Sequence, residues 1–199
     1  MVILALGAHF DDVEVGIGGI LIQHVEAGDQ VYIAISNADE YRTGDPTLRM
    51  KEQFESAKVL GIDDGNVFMF RSSQQMPDVI NKLDAICANV VYVPFWKDTH
   101  QDHVRCSRIG QAVGRKRNVD VFFYDSGSTY EFSPTVFVKI DFNKKQKLLN
   151  CFLSQIESGM IAISKYKHRD AYIASLISDD YDSHAEGLVV RRMQYKINK

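Results

Sequence analysis

Five short apolar runs alternate with helical patterns over the first 125 residues of this 199-residue chain. The runs span residues 2–6, 30–36, 67–70, 90–93 and 119–124. Continuous apolar runs of this length are typical of strands that are buried on both faces. Strands that alternate with helices predict a mostly parallel sheet with right-handed crossovers, and therefore an α/β fold.

Glycine and proline mark several of the predicted helix ends. Gly28 and Gly61 favour the C-terminal ends of the first two helices, because glycine adopts the left-handed backbone of a C-cap at little cost. Asp45 is expected to be the N-cap of the second helix and Pro46 its first residue. The four helices between the strands are predicted over residues 13–27, 46–60, 78–88 and 102–116.

The sequence after residue 125 is less regular. It predicts strands over residues 136–140 and 188–193 and helices over residues 144–156 and 161–177. No linker, repeat or low-complexity segment interrupts the chain, so we expect one domain over residues 1–199.

Two segments rich in histidine and aspartate each follow a predicted strand. Residues 9–14 read His-Phe-Asp-Asp-Val-Glu after the first strand, and residues 98–103 read Asp-Thr-His-Gln-Asp-His after the fourth. In the common strand order 3-2-1-4-5, strands one and four are neighbours, and ligands bind at their carboxyl ends. The topology therefore predicts that the two segments converge.

The chemistry of these segments suits a divalent metal. Imidazole and carboxylate bind Zn²⁺, and three protein ligands plus water form the usual catalytic zinc site. A remaining carboxylate is suited to take a proton from the water, and a remaining imidazole to stabilise an oxyanion or protonate a leaving amine. The pattern favours hydrolysis of an amide or ester. The structural alternative for Asp102 is that it caps the following helix.

The glycines after the first segment argue against a dinucleotide-binding site. Gly16, Gly18 and Gly19 lack the G-x-G-x-x-G spacing of a dinucleotide site, so close packing of the first helix on the sheet is expected. Glu14 has two interpretations. It either supports the site residues or is a first-turn carboxylate that the helix dipole favours.

Composition argues against several classes of partner. The formal charge is −3, and the longest basic run, residues 115–117, suits a helix C-terminus better than a nucleic-acid surface. No apolar segment reaches the ~18 residues of a membrane span, and no secretory signal is visible. The odd number of cysteines suits reduced thiols in a cytoplasmic protein. Cys106 has two interpretations, a metal ligand or a buried apolar side chain.

The two segments resemble the motifs of the LmbE/PIG-L family of zinc-dependent N-deacetylases. Residues 8–14 and the following Gly18-Gly19 are similar to Ala-His-Pro-Asp-Asp-x-Glu and Gly-Gly, and residues 98–103 match Asp-x-His-x-Asp-His. Weaker similarities lie in between and beyond, at Arg49-x-x-Glu52, Leu60-Gly61, residues 130–131, 141, 154–155 and 185–187. The resemblance thus extends over nearly the whole chain.

The resemblance implies a role for each motif residue. The implied metal ligands are His9, Asp12 and His103, and the implied metal is Zn²⁺, with Fe²⁺ or Co²⁺ as alternatives that accept the same ligands. Asp11 would be the general base, and His100 would stabilise the oxyanion or act as an acid. Asp102 would orient His100 and raise its pKa.

Two positions concern the substrate. By the resemblance Arg49 would contact sugar hydroxyls, with an exposed ion pair to Glu52 as the alternative. Phe10 replaces the family's proline, which removes a restraint on φ and adds a large apolar ring. Because Phe10 lies between a ligand and the base, we expect it to wall the pocket.

These observations lead to one expected function and two rivals. We expect a Rossmann-like, three-layer α/β hydrolase with its metal site at the carboxyl ends of strands one and four. It would remove acetyl groups from N-acetylglucosamine-type sugars or their conjugates by attack of a metal-activated water. The rivals are a non-catalytic metal- or sugar-binding protein, and a deacylase or esterase of non-sugar substrates. The oligomeric state stays open, with a homo-oligomer as one option.

Overall fold

The computed structural model describes residues 1–115, 118–180 and 182–194. Within these ranges the strands are β1 (Val2–Gly7), β2 (Gln30–Ile35), β3 (Val67–Met69), β4 (Val90–Pro94), β5 (Asp120–Tyr124), β6 (Val136–Ile140) and β7 (His184–Arg192). The α-helices are α1 (Asp12–Glu26), α2 (Pro46–Leu60), α3 (Met76–Asp84), α4 (Gln101–Val113), α5 (Phe142–Leu149), α6 (Leu153–Glu157) and α7 (Ile163–Ser175). A short 3₁₀ helix covers Asp64–Asn66.

The strands form one mixed sheet in the order β3-β2-β1-β4-β5-β7-β6. Strands β1 to β5 pair in parallel, which confirms the predicted order 3-2-1-4-5. Strand β7 inserts between β5 and β6 and is antiparallel to both. Strand β7 therefore extends the sheet beyond β5, with β6 at the edge, and brings the preceding helix α7 toward the carboxyl ends of the parallel strands.

Helices cover both faces of the sheet. Along β1, Ile3 and Ala5 pack into an apolar cluster with α1, α2 and α5, whereas Leu4 and Leu6 pack into a second cluster with α3 and α4. Successive side chains of a strand point to opposite faces, so the continuous apolar runs serve two cores. This arrangement confirms the expected three-layer α/β fold.

Most predicted helix ends are confirmed, but two helices differ, and the last strand, predicted over residues 188–193, covers His184–Arg192. Asp45 caps α2 by accepting the Thr47 backbone N–H at 2.9 Å, and Gly61 ends that helix with φ of 82°. The single helix predicted over residues 144–156 is two helices, because the chain turns between α5 and α6 to bury Phe152. The helix predicted over residues 78–88 ends earlier, at Asp84. Position 116, the expected end of the fourth helix, lies outside the described residues.

The described helices are short compared with a membrane-spanning helix. The longest of the described helices, α1 and α2, have 15 residues each. Across residues 1–115, 118–180 and 182–194, no helix has both the length and the apolar character needed to cross a membrane.

Helix α1 is broken near its centre. Ile17 has φ of −140° and ψ of 23°, outside the helical region. The break frees backbone N–H groups at Gly19 and Ile20, and both donate to the Glu186 carboxylate, at 2.9 and 2.8 Å. The apolar periodicity of residues 13–27 does not reveal this break, because its cause is a carboxylate on the distant strand β7.

A buried ion cluster balances the charge of Glu186. The fully buried Lys145 ammonium lies 2.7 Å from both Glu186 and Asp170. On the same side of α1, Arg169 donates to the Val15 carbonyl at 2.6 Å. Strand β7 and helices α5 and α7 are thus joined to the segment of α1 that follows the β1–α1 loop. A buried charge is tolerated when it is paired and hydrogen-bonded in this way.

The glycines of α1 permit close packing, as predicted. A Cβ atom at Gly16 would lie 2.2 Å from Cδ2 of Tyr124, and one at Gly19 would lie 2.6 Å from Cγ2 of Ile140. The Tyr124 ring is fully buried, and its hydroxyl donates to the Leu6 carbonyl at 2.6 Å. The Tyr124 ring is therefore held by the surrounding core and by its hydroxyl, and it cannot move away from a side chain at Gly16.

Gly16→Ala should destabilise the fold by about 1–3 kcal/mol, the usual range for overpacking a core. The loss arises from the contact with the Tyr124 ring and outweighs the better helix propensity of alanine. Urea unfolding measures the effect. Gly65→Ala is the control, because a Cβ atom there meets nothing within 4 Å. A Gly16→Ala protein as stable as the wild type would contradict this packing argument.

Candidate active site

The β1–α1 loop is closed by one carboxylate oxygen. Asp12 Oδ2 accepts the backbone N–H groups of Ala8 and His9, each at 2.9 Å. Asp11 adopts a left-handed backbone with φ of 95°. Only a few non-glycine residues adopt positive φ, and such strain concentrates at functional sites. This tight turn directs His9, Asp11 and Asp12 to the carboxyl edge of the sheet.

The β4–α4 loop is organised by Asp98. Its carboxylate accepts the His100 backbone N–H at 2.7 Å and lies 2.9 Å from His103 Nδ1. The hydroxyls of Ser126 and Ser128 donate to the same carboxylate at 2.7 and 2.6 Å. Because a carboxylate only accepts, Nδ1 of His103 carries a proton, and a neutral ring would keep its lone pair on Nε2.

The two loops converge as the topology predicts. His103 Nε2 lies 3.4 Å and His9 Nδ1 lies 3.6 Å from Asp12 Oδ2. The ring centroids of His9 and His103 are 5.3 Å apart, and His100 lies within 4.8 Å of both. Ring nitrogens of the three histidines lie within 4.8 Å of one another, so these residues could hold a metal ion. The donor set fits the metals that the sequence implies, because imidazole and carboxylate both bind zinc.

The electrostatics of the site favour a positive charge at His103. Burial alone lowers the pKa of His103, but Asp12 and Asp98 on either side raise it to about 10. Burial also raises the pKa of Asp98, yet hydrogen bonds from His103, the serines and the His100 backbone lower it to about 2. Two ionised carboxylates thus flank His103 and favour any cation at this point.

The two adjacent aspartates of the first loop have opposite pKa shifts. Burial and the neighbouring Asp12 charge raise the pKa of Asp11. Although burial acts on Asp12 too, the positive charge of His103 and hydrogen bonds from His103 and His9 lower its pKa well below the usual range. Neighbouring carboxylates with such different environments are suited to different roles.

The structure corrects three expectations about Asp102 and His100. The Asp102 carboxylate lies 3.1 Å from His9 Nε2 and 3.8 Å from His100 Nδ1, so its hydrogen bond is to His9. His100, not Asp102, is the N-cap of α4, and its Nδ1 accepts the Asp102 backbone N–H at 3.3 Å. Burial and the neighbouring imidazoles lower the pKa of His100 despite Asp102, contrary to the predicted increase.

Arg49 lies beside the first loop instead of forming an exposed ion pair. It is 2% exposed, and one guanidinium nitrogen donates to the Phe10 carbonyl at 2.9 Å and lies 3.5 Å from Asp11 Oδ2. The other terminal nitrogen lies 3.3 Å from Glu40. Glu52, the expected partner, instead accepts from the backbone and hydroxyl of Ser154.

Three other side chains that the sequence analysis considered, Phe10, Glu14 and Cys106, are buried. Phe10 is buried in the apolar cluster with α1 and does not line the cavity, because the turn at Asp11 directs its ring under the loop. The expectation that Phe10 walls the pocket is therefore wrong. Glu14 is fully buried and accepts from Gln53 at 2.6 Å and Ser56 at 2.8 Å. Cys106 is fully buried in the opposite cluster, as a small apolar residue would be.

A cavity of about 350 Å³ opens over the histidines and aspartates. The expected residues His9, Asp11, Asp12, Arg49, His100 and His103 line it. Gln155, which the weaker family similarity had marked, also lines the cavity. Residues that sequence reasoning missed complete the wall: Val15, Glu40, Arg42, Thr43, Ser126, Gly127, Ser128, Met160, Ile161, Lys165 and Tyr166. Asp98 was detectable from its place in the second motif. The residues from 160 onward carry no local signal, since only the pairing of β7 with β5 brings their segment to the cavity.

A family profile described as PIG-L, GlcNAc-PI de-N-acetylase, matches residues 4–113. The match covers more than half of the chain and includes both loops of the site. The chain therefore belongs to the PIG-L (LmbE) family of deacetylases. Membership of this family supports an enzyme that acts on N-acetyl groups.

One curated relative and two solved structures are similar to this chain. The uncharacterized deacetylase YaiS of Escherichia coli K12 is 29% identical over 159 residues, 69% of this chain and 81% of that protein. The N,N'-diacetylchitobiose deacetylase of Pyrococcus horikoshii has a TM-score of 0.78 at 16% identity over 95% of this chain and 83% of its own. GalB, the 4-carboxy-2-hydroxymuconate hydratase of Pseudomonas putida KT2440, also has a TM-score of 0.78, at 17% identity over 100% and 99%. At these identities the two structures show the fold alone.

Asp98→Asn should weaken Zn²⁺ binding by about 10- to 100-fold, as is typical when the carboxylate behind a ligating histidine is lost. Asparagine keeps the volume but loses the charge that holds His103 Nδ1. Competition with a chelator measures the affinity. Asp29→Asn is the matched control, since Asp29 holds His24 Nδ1 at 2.7 Å in the same way, far from the cavity. Equal Zn²⁺ affinity of the wild type and Asp98→Asn would contradict the support role of Asp98.

Proposed function

We propose that this protein is a metal-dependent hydrolase that removes the acetyl group from N-acetylglucosamine-type sugars or their conjugates. The observation that carries the proposal is the convergence of His9, Asp12 and His103, with Asp11 and His100 on the wall of the same cavity. A simple metal site needs neither Asp11 nor His100. Their presence beside the donor cluster supports catalysis over binding alone.

The proposed metal ligands are His9, Asp12 and His103. Zn²⁺ suits this donor set, and Fe²⁺ or Co²⁺ accept it too. A bound metal of this kind would lower the pKa of a water molecule and polarise the acetamide carbonyl. Three histidines, with His100 in place of Asp12, are the alternative ligand set. Asp12 is preferred because its carboxylate lies between the two histidines and its pKa keeps it ionised.

Asp11 is the proposed general base. Its carboxylate lines the cavity, next in sequence to a ligand, and Arg49 lies 3.5 Å from its Oδ2. Burial and the Asp12 charge raise the pKa of Asp11 to about 8, so the carboxylate is a stronger base than an exposed aspartate once it is ionised, and a cation at the donor cluster would favour the ionised form. The proton that it takes from water would then pass to the departing amine, as hydrolysis of an amide requires.

His100 is the proposed donor to the oxyanion of the tetrahedral intermediate. Its Nδ1 accepts the Asp102 backbone N–H, so a neutral ring carries its proton on Nε2. A neutral imidazole is therefore a sufficient donor, and the lowered pKa of His100 does not weaken the assignment. Asp102 is proposed to position His9 through their 3.1 Å contact.

The sugar specificity is supported by the cavity wall and by the family. Arg49, Thr43 and Gln155 offer hydrogen-bonding groups of the kind that sugar hydroxyls use. The family description and the chitobiose deacetylase both concern N-acetylated sugars. The hydratase GalB has the same fold, so the fold alone does not choose the reaction; the family membership and the paired motifs favour deacetylation.

Acetate release from a panel of N-acetyl sugars, N-acyl amino acids and acetyl esters tests the proposal. We expect stoichiometric acetate and free amine from at least one N-acetylglucosamine derivative, with loss of turnover on chelation and recovery with Zn²⁺. Turnover confined to esters or non-sugar amides would favour the rival deacylase. Sugar binding without turnover by the metal-loaded protein would favour the non-catalytic rival.

Asp11→Asn should lower kcat by ~10²–10⁴-fold, the usual contribution of a general base. Asparagine is nearly isosteric but does not take up the proton, so metal content should persist. Acetate release and metal analysis on the same preparation measure both quantities. Asp39→Asn, which changes an aspartate outside the cavity wall, serves as the control. Wild-type turnover in Asp11→Asn would rule out the base assignment.

His100→Ala separates the two proposed ligand sets. If His100 donates to the oxyanion, its loss should lower kcat by ~10²–10³-fold while metal content and KM change little. Metal analysis together with kcat and KM provides the readout. Loss of the metal from His100→Ala would instead assign His100 as a ligand in place of Asp12.

Two further attributes belong to the proposal. The described cysteines, Cys87, Cys106 and Cys151, are all free, which supports a reducing, cytoplasmic location. Buried ion pairs join α5, α7 and β7, and hydrogen bonds to Glu186 and from Arg169 join α1 to them, which supports one domain over the whole chain.

A further inference from the structure

Tyr166 is a buried polar side chain that the proposed chemistry does not use. It lies near the start of α7, is 5% exposed and lines the cavity. Among the described residues its hydroxyl has no hydrogen-bond partner. The hydroxyl oxygen is not among the buried polar atoms that lack a partner, so it faces the open cavity, where an entering group can hydrogen-bond to it.

Two cations fix the ring of Tyr166. The Arg169 guanidinium carbon lies 5.1 Å and the Lys165 ammonium 5.5 Å from the ring centroid. Arg169 is itself held by Asp170 at 3.0 Å and by the Val15 carbonyl at 2.6 Å. Because the two cations lie over the ring, we expect a ligand to contact Tyr166 at the edge that bears the hydroxyl.

The hydroxyl lies beside the loop that supports His103. Gly127 has φ of +98°, and a Cβ atom there would lie 3.4 Å from the Tyr166 hydroxyl oxygen. The neighbours of Gly127, Ser126 and Ser128, donate to the Asp98 carboxylate that holds His103. The Tyr166 hydroxyl is therefore close to the donor cluster. Burial raises the pKa of Tyr166 to about 12, which keeps the hydroxyl protonated at neutral pH.

We infer that Tyr166 is a substrate-binding residue whose hydroxyl hydrogen-bonds to a ring hydroxyl of the sugar while the acetamide lies at the histidine cluster. This inference rests on the proposed function. A phenol and a sugar hydroxyl each donate and accept, so they pair without an uncompensated charge. The apolar neighbours Val15 and Ile161 in the cavity wall offer no competing hydrogen bond.

Tyr166→Phe tests the inference by removing only the hydroxyl. We expect kcat/KM for the best N-acetyl sugar to fall by about 5- to 10-fold, the scale of one neutral hydrogen bond. Metal content and Tm should stay at wild-type values. Tyr172→Phe is the matched control, because Tyr172 lies on the same helix, is 64% exposed and does not line the cavity. Wild-type kcat/KM in Tyr166→Phe would overturn the inference.

Monodeoxy analogues of the same sugar distinguish direct contact from a structural role. With the wild type, the analogue that lacks the hydroxyl bound by Tyr166 should have a lower kcat/KM than the parent sugar. With Tyr166→Phe, the analogue and the parent sugar should have nearly the same kcat/KM. This non-additivity is expected only for groups in contact. Additive losses for every analogue would overturn the inference even if Tyr166→Phe were slow.

Binding by calorimetry separates this inference from the proposed reaction. If the wild type released no acetate, the proposed function would fail, and N-acetylglucosamine affinity would decide the role of Tyr166. A 5- to 10-fold weaker Kd in Tyr166→Phe, on the same hydrogen-bond scale, would then support the contact. An equal Kd, or no binding to the wild type, would overturn it.

Discussion

The two hydrogen bonds from the Ala8 and His9 backbones to Asp12 Oδ2 organise the site. They close the β1–α1 loop into a turn so tight that Asp11 adopts positive φ. One carboxylate thereby fixes the loop and lies between His9 and His103. The placement of the first motif depends on this turn, because it decides which of the motif's side chains enter the cavity and which enter the core.

The second loop supplies charge balance to the first. Asp98 and Asp12 flank His103 and stabilise positive charge there, which is the electrostatic requirement of a bound divalent cation. The cost of gathering buried acids and imidazoles is offset by hydrogen bonds from Ser126, Ser128 and the loop backbone. The same stretch of chain carries Gly127 beside Tyr166, so the proposed support of the metal and the proposed substrate contact lie at one loop.

The sequence was sufficient for the order of β1 to β5 and for the residues that converge, because both follow from local patterns. Apolar runs identified β1 to β5, and the order of those strands required the two motif loops to meet. Side-chain direction was harder to predict. Phe10 was expected at the pocket wall, but the turn that Asp12 closes sends its ring into the core. A motif gives the order of residues along a loop and not the dihedral angles that orient them.

Long-range partners account for the remaining errors. The break at Ile17 depends on Glu186, about 170 residues away, and Asp102 pairs with His9 on the other loop and not with its neighbour His100. Tyr166 reaches the cavity because β7 is antiparallel to β5 and returns α7 to the site edge. Tertiary packing sets these contacts, and neither hydrophobic periodicity nor motif spacing predicts them.

Zinc K-edge X-ray absorption of the protein loaded with one equivalent of Zn²⁺ tests the central role of Asp12 most directly. The scattering pattern counts imidazole ligands and separates them from oxygen ligands. The account predicts two imidazoles at about 2.0–2.1 Å, with oxygen ligands completing the shell and no sulfur. A shell with three imidazoles would contradict it, because His100 would then be the third protein ligand and Asp12 only a support of the loop.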